Sequence, residues 1–260
     1  MRSAGKILKY ELSNVFRSRW IPAYALLLLL LTDALFRFGG GGERAVLSLL
    51  NVVLVFVPLV SLVFGTMYLY NAREFIELLL AQPVGRAAIF TGLYGGLTLP
   101  LAAAFAIGVG APFVYHRASA TAAVAILLVT GVLLTAGFVA IAFCIAAWVQ
   151  DRAKGLGLAI LLWLLGTVVY DGAVLLVVMV FGDYPLETPM LLLTLLNPID
   201  LGRVLMLLRL DIAALMGYTG AVFERFFGGP LGMVAAVAAL LGWVALPLVL
   251  GLRRFRTRDF

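Results

Sequence analysis

The chain has 260 residues, 64% of them hydrophobic and 12% charged, with a formal net charge of +6, one cysteine and one histidine. This excludes a water-soluble domain and a disulfide framework, because the apolar runs are long enough to cross about 30 Å of hydrocarbon at about 1.5 Å per residue. Nor does the positive charge imply nucleic acid as a partner, since Lys and Arg gather at the chain ends and in short loops, as membrane topology requires.

Residues 1–19 form a basic leader. Ile7, Leu8, Leu12, Val15 and Phe16 share one helical face, and Lys6, Lys9, Ser13 and Arg17 lie on the other, the pattern of an interfacial helix with its cations toward anionic lipid. No small-residue cleavage pattern follows, so the leader reads as retained rather than as a signal peptide. The first span is expected over 20–36, opened by an interfacial tryptophan, Trp20. Asp33 and Arg37, one turn apart near its end, are placed to pair, with the arginine snorkelling outward. Four glycines then make a flexible loop, and 45–70 is the second span, carrying Asn51 and Pro58, which a packed bundle tolerates better than lipid does.

Residues 70–86, YNAREFIELLLAQPVGR, are the longest charged interruption in the first half of the chain. A helix over 72–81 sets Arg73 and Glu77 at i,i+4 with Glu74 beside them, among Phe75, Ile76, Leu78, Leu79 and Leu80. Pro83 and Gly85 then stop it. A bare connector needs half that length, so the segment is expected to be an amphipathic surface helix that docks a protein.

The third span is expected over 87–115, with Gly92, Gly95, Gly96, Gly108 and Gly110 allowing close helix approach. The fourth covers 122–149, and a charged turn at Asp151, Arg152 and Lys154 leads to the fifth over 155–181, interrupted by Tyr170 and Asp171. In the stretch 182–229 the apolar piece 190–196 is too short to cross, so short helices are expected to cap or re-enter one face of the bundle. Asn197 is a good N-cap and Pro198 fits a first helical position. The sixth span, 230–252, leads to Arg253, Arg254, Arg256 and Arg258.

The fold expected is therefore all-α: a single polytopic domain of six transmembrane helices, with an interfacial helix at 1–19 and outer-face helices before the sixth span. Thirteen of the nineteen Lys and Arg residues fall on the side holding both termini and the 70–86 segment, which assigns that side to the cytoplasm and 182–229 to the outside.

Catalytic motifs are missing from the sequence. There is no phosphate-binding G-x-x-x-x-G-K-[ST], no H-E-x-x-H, no C-x-x-C and no G-x-S-x-G. The single histidine, His116, cannot form a histidine cluster. Cys144, Met67 and Met179 offer soft ligands to a cuprous ion, but without Met-x-x-Met or Cys-x-x-Cys spacing they read as packing, and no metal site is expected. Asn51, Asp171 and Asp200 remain as polar groups for a pathway through the bundle. A bundle without an ATP site that presents a docking helix suits a subunit of a machine powered elsewhere. The alternative is a non-transporting membrane scaffold that recruits a partner. An ion-coupled carrier would need several ionisable groups near the midplane and inverted repeats, and neither is found.

The leader KYELSNVFRSRW, the charged helix EFIELLLAQPVGR after the second span, and LLNPIDLGRV before the sixth resemble the permease subunits of type-2 (ABC-2) transporters. Within that family the chain is most similar to the permease of the copper-processing exporter associated with nitrous oxide reductase maturation. The resemblance implies a homodimer in the cytoplasmic membrane, docked on two copies of a separate ATPase that holds ATP and Mg, this chain having no cofactor of its own. It further implies export, with copper or a sulfur species as cargo, and a periplasmic accessory protein. By this resemblance Arg73, Glu74, Phe75, Glu77 and Arg86 belong to the coupling segment, Glu11 and Arg17 to the leader beside it, and 182–229 to outer helices that gate the exit.

Overall fold

The computed structural model describes residues 5, 7–12, 19–38, 42–116, 122–182, 184, 187–209 and 229–257. Arg17 and the 210–228 part of the outer segment lie outside the described residues. Six helices are long and apolar enough to cross a membrane, and no strand occurs among the described residues. They are α1 (Trp20–Phe38), α2 (Gly42–Asn71), α4 (Arg86–Tyr115), α5 (Ala122–Trp148), the span made of α6 (Arg152–Leu164), a π-helical stretch (Leu165–Val169) and α7 (Tyr170–Phe181), and α10 (Pro230–Thr257). Between α2 and α4 stands the short α3 (Arg73–Leu80), and between α7 and α10 the pair α8 (Glu187–Leu196) and α9 (Pro198–Arg209). Each span falls within a few residues of its expected place.

A helix that is apolar all round must be covered on every side by protein or lipid. The central helix is α5, most of whose residues are buried, with α2 and α10 packed along it, while α1 packs along α4. In the α6–α7 span only Gly155, Ala159 and Thr167 are buried, and its apolar side chains face outward. Small residues set the closest approaches. A Cβ added at Gly65 would lie 2.5 Å from Ala142 Cβ, and one at Gly108 would lie 2.7 Å from the Ala25 carbonyl oxygen. Without strong hydrophobic drive between helices in lipid, such contacts carry the packing. Buried hydroxyls of Thr66, Thr135, Thr167 and Thr194 donate to carbonyls one turn back, which satisfies them without water.

Tyr10 stacks on Phe75, Phe90 packs on Phe255, and Arg86 donates to the Arg256 carbonyl at 3.2 Å. Residues 7–12, α3, the start of α4 and the end of α10 therefore share one end of the bundle. At the opposite end Asp33 pairs with Arg37 (Nε–Oδ2 2.7 Å), as the spacing implies, and also meets His116 (Nε2–Oδ1 2.7 Å), whose ring stacks on Phe36.

Candidate functional site

Two regions gather the polar chemistry, one at the α3 end and one deep in the bundle.

In α3 the residues sort by face. Ile76 is buried to 1% exposure, worth about 1.5–3 kcal/mol for a side chain of its size, while Glu74, Glu77, Leu78 and Ala81 make an exposed stripe. Neither glutamate forms an ion pair among the described residues. Arg73 does not pair with Glu77, as the i,i+4 spacing suggests; its Nη2 donates instead to the Gln150 carbonyl at 3.1 Å, beside Tyr70, whose hydroxyl donates to the Val149 carbonyl at 3.0 Å. The carbonyls just past the end of α5 have no helical partners, and a cation there also meets the negative end of the helix dipole. Arg73 thereby links α3 to the central helix. Asp151 caps the next helix, accepting from the Lys154 N–H at 2.8 Å. Phe75 packs under Tyr10, whereas Glu11 is not on the surface at all: it is 3% exposed and accepts from the Tyr68 hydroxyl. Glu11, placed by the resemblance in the leader beside the coupling segment, is turned inward against α4 by the fold of residues 7–12.

The deep region is built around a break. Helices α8 and α9 are bent by 114° at Asn197, which is 3% exposed. The asparagine caps α9 as its sequence suggests, Oδ1 accepting from Ile199 N–H at 3.0 Å, with Pro198 at the first helical position. Its amide donates to the Gly166 carbonyl at 2.8 Å, inside the π-helical stretch of the neighbouring span. Two carbonyls at the end of α8 are also met from outside: Tyr170 hydroxyl donates to Leu193, and Trp243 Nε1 to Leu195 at 3.1 Å. Gly166 and Trp243 are mid-span residues, so the break reaches the middle of the bundle. Irregular backbone at that depth persists only where protein satisfies it, and these donors do so. The bent pair thus places its break at the depth of these mid-span residues.

Just past the break, Arg203 lies between two aspartates, Nη2 at 2.7 Å from Asp171 Oδ2 on α7 and Nη1 at 2.9 Å from Asp200 Oδ1. Asp171, which has no cation one turn away in sequence, takes its cation from another helix. Asp171 and Asp200 are thus brought together, and Asn51 is not with them: it is exposed on α2 and makes no side-chain hydrogen bond among the described residues. The cross-helix partners of Arg203, Tyr68, Tyr170 and Trp243 escape sequence reasoning, although the i,i+3 pairing of Arg203 with Asp200 lies within α9. The one available signal was that each is polar-tipped within an apolar stretch.

A family model described as ABC-2 family transporter protein matches residues 6–260. Among curated proteins, the chain is similar to the probable ABC transporter permease protein NosY of Stutzerimonas stutzeri, 27% identical over 99% of each chain. It is also similar to the protein of the same description from Pseudomonas aeruginosa, 29% identical over 97% of each chain.

Proposed function

The chain belongs to the ABC-2 family of transporter proteins, as a permease subunit of an ABC transporter, and on that premise we propose that it is the membrane half of an exporter whose ATPase docks on α3. The observation that carries this reading is the exposed stripe Glu74, Glu77, Leu78 and Ala81, set on a short helix between two spans. Acidic groups flanking an exposed leucine suit a groove with an apolar floor and basic rim. The assembly is a homodimer on two ATPase copies, with ATP and Mg held by the partner and no cofactor in this chain. Its α3 end and both termini face the cytoplasm and the membrane is the inner one, on the distribution of Lys and Arg.

ATP binding closes the ATPase pair and displaces α3. The displacement passes to α2 and α4, which flank it, and through Arg73 to the end of α5. The outer half then opens around the bent pair, with Asp171 and Asp200 along the exit. Coupling of this kind needs an element with two arrangements that both ends bias. For cargo, the resemblance in EFIELLLAQPVGR and LLNPID favours copper or a sulfur species handled for nitrous oxide reductase maturation, with a periplasmic accessory protein at the far end.

The test is mild-detergent purification of tagged protein from its native host, with co-eluting proteins identified and ATP hydrolysis and metal content assayed. A stoichiometric ATPase that is lost on reversing Glu74 and Glu77 to lysine is the expected result. Protein that elutes alone, without nucleotide hydrolysis, would instead favour a non-transporting scaffold.

A further inference from the structure

We propose that Glu11 is a positioning residue: seated inside the bundle, it fastens residues 7–12 to α2 and α4 so that displacement of α3 moves both spans together. The inference rests on the permease reading above.

A carboxyl group at 3% exposure is costly unless it is hydrogen-bonded. Glu11 meets that cost through the Tyr68 hydroxyl, three residues from the end of α2 and close to the start of α3. The Tyr68 ring in turn stacks on Phe143 of α5, at 6.2 Å between centroids. On its other side Glu11 backs onto α4 where that helix has no side chain: a Cβ at Gly96 would lie 2.5 Å from Glu11 Cβ. The neighbouring Gly95 makes the same room for Leu8, whose Cδ1 would be 2.9 Å from an added Cβ. Consecutive helical residues point about 100° apart, and Tyr10 uses that rotation to reach the third element. It is 61% exposed and stacks on Phe75 of α3 at 5.7 Å.

One turn of helix therefore touches α2, α3 and α4 at once. The eight-residue α3 is too short to be stable alone, so its position depends on such contacts. Toward α2 the joint is Ala72 alone, hydrogen-bonded to both helices, but toward α4 a push on α3 must otherwise pass through the turn at 81–85. With Tyr10 on Phe75 and Glu11 on Tyr68 and Gly96, the push reaches both flanking spans.

The experiment uses the whole complex with its ATPase in phospholipid nanodiscs and compares wild type with Glu11→Leu, Glu11→Gln, Tyr68→Phe and Tyr10→Ala. Readouts are ATPase stoichiometry and the kcat and KM for ATP. Glu11→Leu and Tyr68→Phe each remove one side of the hydrogen bond, and both are expected to lower kcat about tenfold with KM and stoichiometry unchanged. Glu11→Gln keeps an acceptor oxygen for Tyr68 and restores kcat to within about twofold of wild type. Tyr10→Ala, at an exposed position, lowers kcat in the same way and carries the test if Glu11→Leu lowers the yield. Wild-type kcat in Tyr68→Phe and Tyr10→Ala overturns the proposal. Loss of bound ATPase in Glu11→Leu overturns it too, since that residue would then be contacting the partner. Equal losses in Glu11→Gln and Glu11→Leu also count against it, because a hydrogen bond would not be the cause. Wild-type protein that carries no ATPase defeats the permease reading itself.

Discussion

Arg203 and Asp171 meet at 2.7 Å although they lie 32 positions apart, joining the second limb of the bent pair to the span beside it. Asp200 completes the cluster from one turn back on α9, so one guanidinium serves two carboxyl groups. Removing it leaves two like groups facing one another in a site only part-open to water. Arg203→Ala is expected to lower stability by about 1–3 kcal/mol, seen as a lower Tm in detergent. Exchanging the pair, Asp171→Arg with Arg203→Asp, should recover part of that loss if the contact itself is what matters. An unchanged Tm in Arg203→Ala would mean that the cluster does not hold the hairpin.

Asn197 performs two tasks that can be separated. Asn197→Ala removes both the α9 cap and the bond to Gly166, and is expected to cost about 1–3 kcal/mol. Asn197→Ser retains a capping oxygen without the long amide donor and should fall between alanine and wild type. Equal melting of the two variants would show that capping contributes nothing at this depth.

Gly65 and Ala142 mark a close crossing of α2 with α5. Gly65→Ala forces a Cβ to within 2.5 Å of Ala142 Cβ, so the helices must separate, at about 1–3 kcal/mol. The double variant Gly65→Ala/Ala142→Gly moves the methyl group across the interface and should regain most of the stability. Thermal unfolding of the three proteins decides it, and additive losses would point to relaxation elsewhere.

The two ends of the bundle are expected on opposite sides of the membrane. In a Cys144→Ser background, a cysteine at Leu78 should react with membrane-impermeant maleimide only in inverted vesicles, and one at Tyr184 only in intact cells with a permeabilised outer membrane. Both positions are exposed, at 67% each, so access and not burial decides the labelling. Labelling of both from one side would break the six-span topology.

The spans were legible because length and apolarity alone define them, and α3 because its charges, proline and glycine bound it on both sides. Asn197 and Pro198 were legible as a helix start because capping is local chemistry. Asp33 and Arg37 met as their spacing implies, since i,i+4 geometry needs nothing beyond one helix. Arg73 shows the limit of such reasoning. The same spacing offered it Glu77, but the carbonyl of Gln150 at the end of a neighbouring helix took the guanidinium.

What the sequence by itself determined is the number of spans, the position of the exposed helix between the second and third, and the start of α9. Each depends on hydrophobicity, capping or turn chemistry within about one or two turns of chain. Only the tertiary structure decided that Glu11 faces inward to Tyr68, that Asp171 finds its cation in Arg203, and that the break at Asn197 is met by Gly166, Tyr170 and Trp243 at mid-bundle. Those contacts join residues distant in sequence. Which polar groups meet across an apolar bundle is set by how the helices rotate and cross, and packing of the whole fixes that.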